Sequence, residues 1–219
     1  MQASGGSEHQ PRVRDMPDPR KSPSAAGSTM KRLFTWPYKA ILAGLYRLGV
    51  RPWQLTLLSL AINVVVGVLL ARGERLVPGI LLVPAGLADV FDGSIARLRG
   101  EDKRSGAFLD SVFYRISDGV IFGCLFWSLA RQGADLNAAL ALVTLVVTLL
   151  VSHLRAEAEA AGIALSEGLF QRLERYLATI VGLVIPGALR PVLVLLAGLG
   201  GLTVLQRGWS AARRLAASG

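Results

Sequence analysis

The sequence predicts an all-α, polytopic membrane protein in which six transmembrane helices follow one interfacial amphipathic helix. Three observations carry this. Of the 219 residues, 52% are hydrophobic, more than an ordinary soluble domain of this size needs. Apolar runs of about twenty residues, the length that crosses a bilayer as helix, recur along the chain. The charged residues gather between those runs instead of alternating with them. A large buried core would explain the composition alone, but not several such runs in so short a chain.

Residues 1–29 are rich in Gly, Ser, Pro and charge and lack the apolar region and cleavage site of a signal peptide, which predicts a disordered tail. The next segment, KRLFTWPYKAILAGLYRLG, mixes bases with Trp36, Tyr38 and Tyr46. Aromatic rings favour headgroup depth, so this helix is expected to lie in the membrane interface. Spans are expected at about 54–71, 77–98, 106–130, 136–160, 169–186 and 189–206. Pro78 and Pro84 mark the second for a kink. Good helix formers in SHLRAEAEAAG let the fourth continue beyond the membrane, and Pro186-Gly187 turns the chain between the fifth and sixth. One membrane domain, 30–207, then ends in a basic tail, 208–219.

The formal net charge is +9. No basic face interleaved with aromatics accompanies it, so nucleic acid is not the expected partner. The bases instead flank the spans. Lys31, Arg32, Lys39, Arg47 and Arg51 precede the first; Arg97, Arg99, Lys103 and Arg104 separate the second and third. Arg155, Arg172 and Arg175 separate the fourth and fifth, and Arg207, Arg213 and Arg214 follow the sixth. With six spans these all fall on one side. The positive-inside rule then places both termini and the 89–119 segment at the cytoplasmic face of a cell (inner) membrane. Cys124 stands alone and forms no internal disulfide.

Ionisable residues inside spanning segments are costly and point to function. Asp89 and Asp92 lie at i, i+3 on one helix face; Asp110, Tyr114 and Asp118 lie at i, i+4, i+8 on another. A hairpin through RLRGEDKRSG brings the two faces together. Three converging carboxylates with no His or Cys nearby call for a hard divalent cation, Mg2+ or alternatively Mn2+. At a membrane surface such a metal most naturally binds phosphates. Gly93, Ala96 and Gly106 leave room for a bulky ligand near the backbone, and Arg97 adds a phosphate-binding fork.

In spacing and residue type, Asp89-x2-Asp92-Gly93-x2-Ala96-Arg97-x8-Gly106-x3-Asp110 resembles the signature of the CDP-alcohol phosphatidyltransferases. The resemblance covers most of the chain, because that family also has six spans after a juxtamembrane helix. It implies transfer of a phosphatidyl group from CDP-diacylglycerol to an alcohol, with release of CMP and two metal ions bridging the acids and the pyrophosphate. The family pattern continues with an Asp at the position of Tyr114. In the family that Asp ligates the second metal and serves as general base, whereas a phenol is mostly protonated at pH 7. Two readings follow: a transferase with an altered site, or a homologue that binds nucleotide and metal but is catalytically impaired.

SHLRAEAEAAG and FQRLERYL resemble segments that bind the acceptor's phosphate in bacterial phosphatidylinositol-phosphate synthases. The matching positions are Arg155 and Arg175, with Arg172 nearby and Arg207 near the end of the last span. This implies a phosphorylated polyol acceptor, inositol phosphate first and glycerol 3-phosphate next. Pro52, Trp53, Gln54, Leu55 and Thr56 fall where the family has a Pro-x-x-aliphatic-Thr segment that approaches the cytidine of CDP-diacylglycerol, with Trp53 in place of a common Asn, and Lys103 falls where a Ser or Thr often lies near the donor. A homodimer is expected by the same resemblance.

Overall fold

The computed structural model describes Val13, Met16, Pro17 and residues 26–101, 104–163 and 172–218. Seven helices occur among them: α1 (Ala26–Arg47), α2 (Pro52–Ala71), α3 (Leu76–Leu98), α4 (Arg104–Arg131), α5 (Asp135–Ala160), α6 (Arg172–Val184) and α7 (Leu189–Ser218). No strand is present among the described residues. Five helices, α2 to α5 and α7, are long and apolar enough to cross a membrane, so the chain is a multi-pass membrane protein.

The expected fifth span is the exception. As described, α6 has 13 residues, about 20 Å of helix, which is short for a bilayer core; residues 164–171 lie outside the described part. Its course through the bundle is nonetheless defined. Gly86 of α3 faces Tyr176, and Gly79, nearer the start of α3, faces Val184. Helix α6 therefore runs antiparallel to α3.

Apolar faces decide the packing. Helix α2 lies against α3 and α4, α4 against α5, and α5 against α7, while α6 fills the groove between α3 and α7. Val66, Leu70, Leu82, Ile121, Phe122, Leu125, Leu129, Leu193 and Leu196 meet in the main core. Small residues let helices approach: Gly67 of α2 leaves no space for even a methyl group against Val120 of α4. Large apolar side chains such as Leu57, Leu58, Val64, Val65 and Val68 stay exposed on the outside of α2, the pattern of a surface that faces lipid.

A second cluster joins α1 to the bundle near the carboxylates. Leu42 and Ala43 pack with Leu55, Phe91 and Ile95, and the Tyr38 ring stacks on Phe91 at 5.2 Å. Most of the segment expected to be disordered lies outside the described residues. Met16, within that segment, is among the described residues and is buried in this same cluster.

The boundaries of α2 to α5 depart from expectation by a few residues at most, whereas α7 runs well past its expected end. Helix α3 runs unbroken through Pro84. Helix α7 continues to Ser218 because WSAARRLAAS keeps strong helix formers after leaving the apolar zone. Between α3 and α4 the chain stops helix at Gly100, whose φ of 64° suits glycine far better than other residues. The Glu101 N–H then bonds the Ala96 carbonyl at 2.9 Å, and this stop turns the hairpin that carries the acids.

Candidate active site

The hairpin delivers what the spacing predicts. Asp89 and Asp92 from the last turns of α3 and Asp110 from early α4 present ligand oxygens all within 4.8 Å of one another. Asp92 is buried, while Asp89 and Asp110 are half-buried. Each pair of like charges at such range costs on the order of 4 kcal/mol at an effective dielectric of ~20. Three carboxylates gathered at the end of an apolar bundle could hold a cation, and an all-oxygen donor set suits a hard divalent one.

Thr56 fixes the most buried acid. Its hydroxyl donates to Asp92 Oδ2 at 2.9 Å and also approaches the Pro52 carbonyl at 3.2 Å. Sequence alone marks Thr56 as the last residue of the Pro52–Thr56 segment expected near the cytidine, and does not show this tie from α2 to α3. Within that segment, Pro52 opens α2, and Gln54 Oε1 accepts the Arg51 N–H at 2.8 Å and so caps the helix. Trp53 is exposed, and Leu55 is buried in the α1 cluster.

Arg97 is also held in place. Its Nη2 donates to Ser94 Oγ at 3.0 Å. Ser94 donates onward to the Val90 carbonyl at 2.9 Å and lies 2.6 Å from the Tyr38 hydroxyl. The juxtamembrane helix thus touches the signature arginine through one serine; the sequence marks Tyr38 only as an interfacial aromatic and does not mark Ser94. Gly93 lies beside the Arg97 guanidinium, and nothing stands within 4 Å of a methyl group placed on Gly106. Ala96 is half-buried on the same helix end. Lys103 and the Arg172 side chain lie outside the described residues.

Tyr114, one turn after Asp110, is half-buried, and its hydroxyl accepts a hydrogen bond from Arg175 Nη2 of α6. The Arg175 guanidinium carbon lies 5.8 Å from the Tyr114 ring centroid. Tyr114, Asp118, Arg175, Tyr176 and Thr179 line a cavity closed below by Ile121 and Phe122. Arg175 is therefore brought to Tyr114. The other arginines are committed differently. Arg207 is buried and donates to the Val151 carbonyl at 2.8 Å. Arg155 is exposed and pairs with Glu159 at 2.9 Å.

Known proteins resemble the chain in both sequence and shape. The phosphatidylinositol phosphate synthase of Corynebacterium glutamicum is 36% identical over 144 residues, covering 64% of this chain and 66% of that protein. The chain thus spans just under two thirds of that relative. A crystal structure of the Mycobacterium tuberculosis phosphatidylinositol phosphate synthase with CDP-DAG bound superposes with a TM-score of 0.72 at 31% identity, covering 80% of this chain and 92% of that one. The same enzyme in complex with manganese and citrate gives a TM-score of 0.69 at 30% identity, covering 80% and 88%. The CDP-alcohol phosphatidyltransferase model matches residues 50–205, from the turn before α2 to late α7, and the chain belongs to that family.

Proposed function

We propose that the protein transfers a phosphatidyl group from CDP-diacylglycerol to a hydroxyl of an inositol phosphate and releases CMP. The observation that carries this reading is the meeting of Asp89, Asp92 and Asp110 beside an anchored Arg97, on a family scaffold. The names of the relatives support inositol phosphate as acceptor. Glycerol 3-phosphate is second, because an arginine set recognises a phosphate more firmly than it distinguishes the polyol behind it.

The three carboxylates fit a divalent ion, magnesium or manganese. When bound, such an ion neutralises phosphoryl charge and aligns the reacting groups. The chain's own residues do the rest. Thr56 keeps Asp92 turned toward its partners. Arg97, fixed by Ser94, offers remaining N–H groups to a phosphate, and the open face at Gly106 admits the nucleotide head. In the transfer, the acceptor oxygen bonds to the phosphorus next to diacylglycerol as the anhydride bond to CMP breaks and the hydroxyl loses its proton. Arg175 is the residue best suited to the acceptor's phosphate, since it meets Tyr114 one helical turn after Asp110. The exposed Arg155–Glu159 pair opens at little cost and frees a second guanidinium.

The distribution of bases supports a cytoplasmic site in the inner membrane. The test is CMP release by the full chain in lipid nanodiscs, with CDP-diacylglycerol and, in turn, inositol phosphate, glycerol 3-phosphate, inositol and serine. Release is expected with inositol phosphate and Mg2+ or Mn2+, and none in chelator. Tight CDP binding without release under any condition favours the impaired homologue. Neither binding nor release by folded protein sinks the transferase reading.

A further inference from the structure

We infer that this chain holds a single divalent cation, at Asp89, Asp92 and Asp110, and that the Arg175 guanidinium, pinned by Tyr114, takes the place of a second one. The inference rests on the metal-dependent transferase reading above and concerns how its site is charged.

The three carboxylates make one compact coordination shell. Ligand oxygens around a hard cation stand roughly 2.0–2.6 Å from it, so opposite ones are about 4 to 5 Å apart. The observed limit of 4.8 Å among Asp89, Asp92 and Asp110 fits a shell around one ion.

One helical turn further along α4 the chemistry changes. A second ion there needs another anionic ligand, and Tyr114 offers a neutral phenol. That phenol oxygen is already engaged by the Arg175 guanidinium, which also lies against the face of the ring. A guanidinium keeps its charge under all ordinary conditions and, fixed on Tyr114 one helical turn after Asp110, repels an incoming divalent ion. It also has hydrogen-bonding capacity to spare. Arg175 Nε and Nη1 are buried and have no hydrogen-bond partner, a state that costs free energy until an acceptor arrives. Tyr114 and Arg175 act together: the ring and hydroxyl of one set the position of the other.

The experiment counts ions without relying on turnover. The full chain, purified in detergent and stripped with chelator, is titrated with Mn2+ while free Mn2+ is followed by electron paramagnetic resonance. One tightly bound ion per chain is expected, with the spectrum of an isolated ion. The Tyr114→Asp variant is expected to bind two, with the broadened spectrum of a coupled pair. Tyr114→Phe, which keeps the ring and adds no carboxylate, is expected to stay at one. Two tight ions in the parent protein overturn the inference and leave the transferase reading intact. One ion in a folded Tyr114→Asp variant overturns the role given to Tyr114. No tight ion in the parent, together with no CMP release, overturns both. Because the parent titration alone distinguishes one ion from two, the test survives a variant that does not fold.

Discussion

The Thr56 hydroxyl on α2 donates a hydrogen bond to Asp92 Oδ2 on α3 at 2.9 Å, joining two helices at the most buried of the three acids. Groups that orient metal ligands commonly contribute about 10–100-fold to affinity or activity. Thr56→Val is therefore expected to weaken Mn2+ binding and CMP release by about tenfold or more, and Thr56→Ser to restore most of both. A Thr56→Val protein with unchanged Mn2+ affinity would show that the bond is structural only.

Asp92 sets function against stability. It is 6% exposed and shares its site with two other carboxylates. Asp92→Asn is expected to abolish CMP release. In chelator, where no cation balances the acids, the same change should raise the melting temperature by roughly 2–4 °C for each kcal/mol of repulsion removed. Fluorescence-detected thermal unfolding with and without Mn2+ reads both effects. A variant less stable than its parent in chelator contradicts the idea that the acids repel.

Tyr114 bears on rate. Well-placed general bases contribute about 10²–10⁴-fold, so Tyr114→Asp is expected to raise the turnover number by at least about tenfold, with a smaller change in KM for the acceptor. A folded Tyr114→Asp variant with the parent's turnover would mean that the acceptor's proton leaves by another route.

The α3–α6 seam is tight. A methyl group on Gly86 would stand 2.6 Å from Tyr176 Cε1, and overpacking of this kind costs about 1–3 kcal/mol. Gly86→Ala should lower the melting temperature, and adding Tyr176→Leu should recover part of the loss. Strictly additive effects in that double-mutant cycle would show that the two residues do not touch.

Most of the bundle is legible in the sequence because a membrane span advertises itself by composition. The helices expected near 54–71, 77–98, 106–130 and 136–160 all form within a few residues of those limits. The acid cluster is legible because helical spacing alone puts Asp89 with Asp92 and places Asp110 on the facing helix. What escapes notice is contact between distant segments. Tyr38 reaches Ser94 across 56 positions, Thr56 reaches Asp92 across 36, and Arg175 reaches Tyr114 across 61. No period or motif encodes these pairs, since they depend on how whole helices rotate and slide once packed. The arginines show the same limit. Charge and position mark four candidates, and only packing separates Arg175 beside Tyr114 from Arg207 against the α5 backbone.

Short turns at 72–75, 132–134 and 185–188 close the end of the bundle opposite the acids, leaving all three carboxylates at the other rim. For the proposed reaction this geometry is a statement about traffic. The donor lipid reaches the acids by sliding within a single leaflet, and the water-soluble partners come and go from the adjoining solution. The new phospholipid is born in the leaflet that supplied its acyl chains, so moving it to the opposite leaflet is left to other machinery.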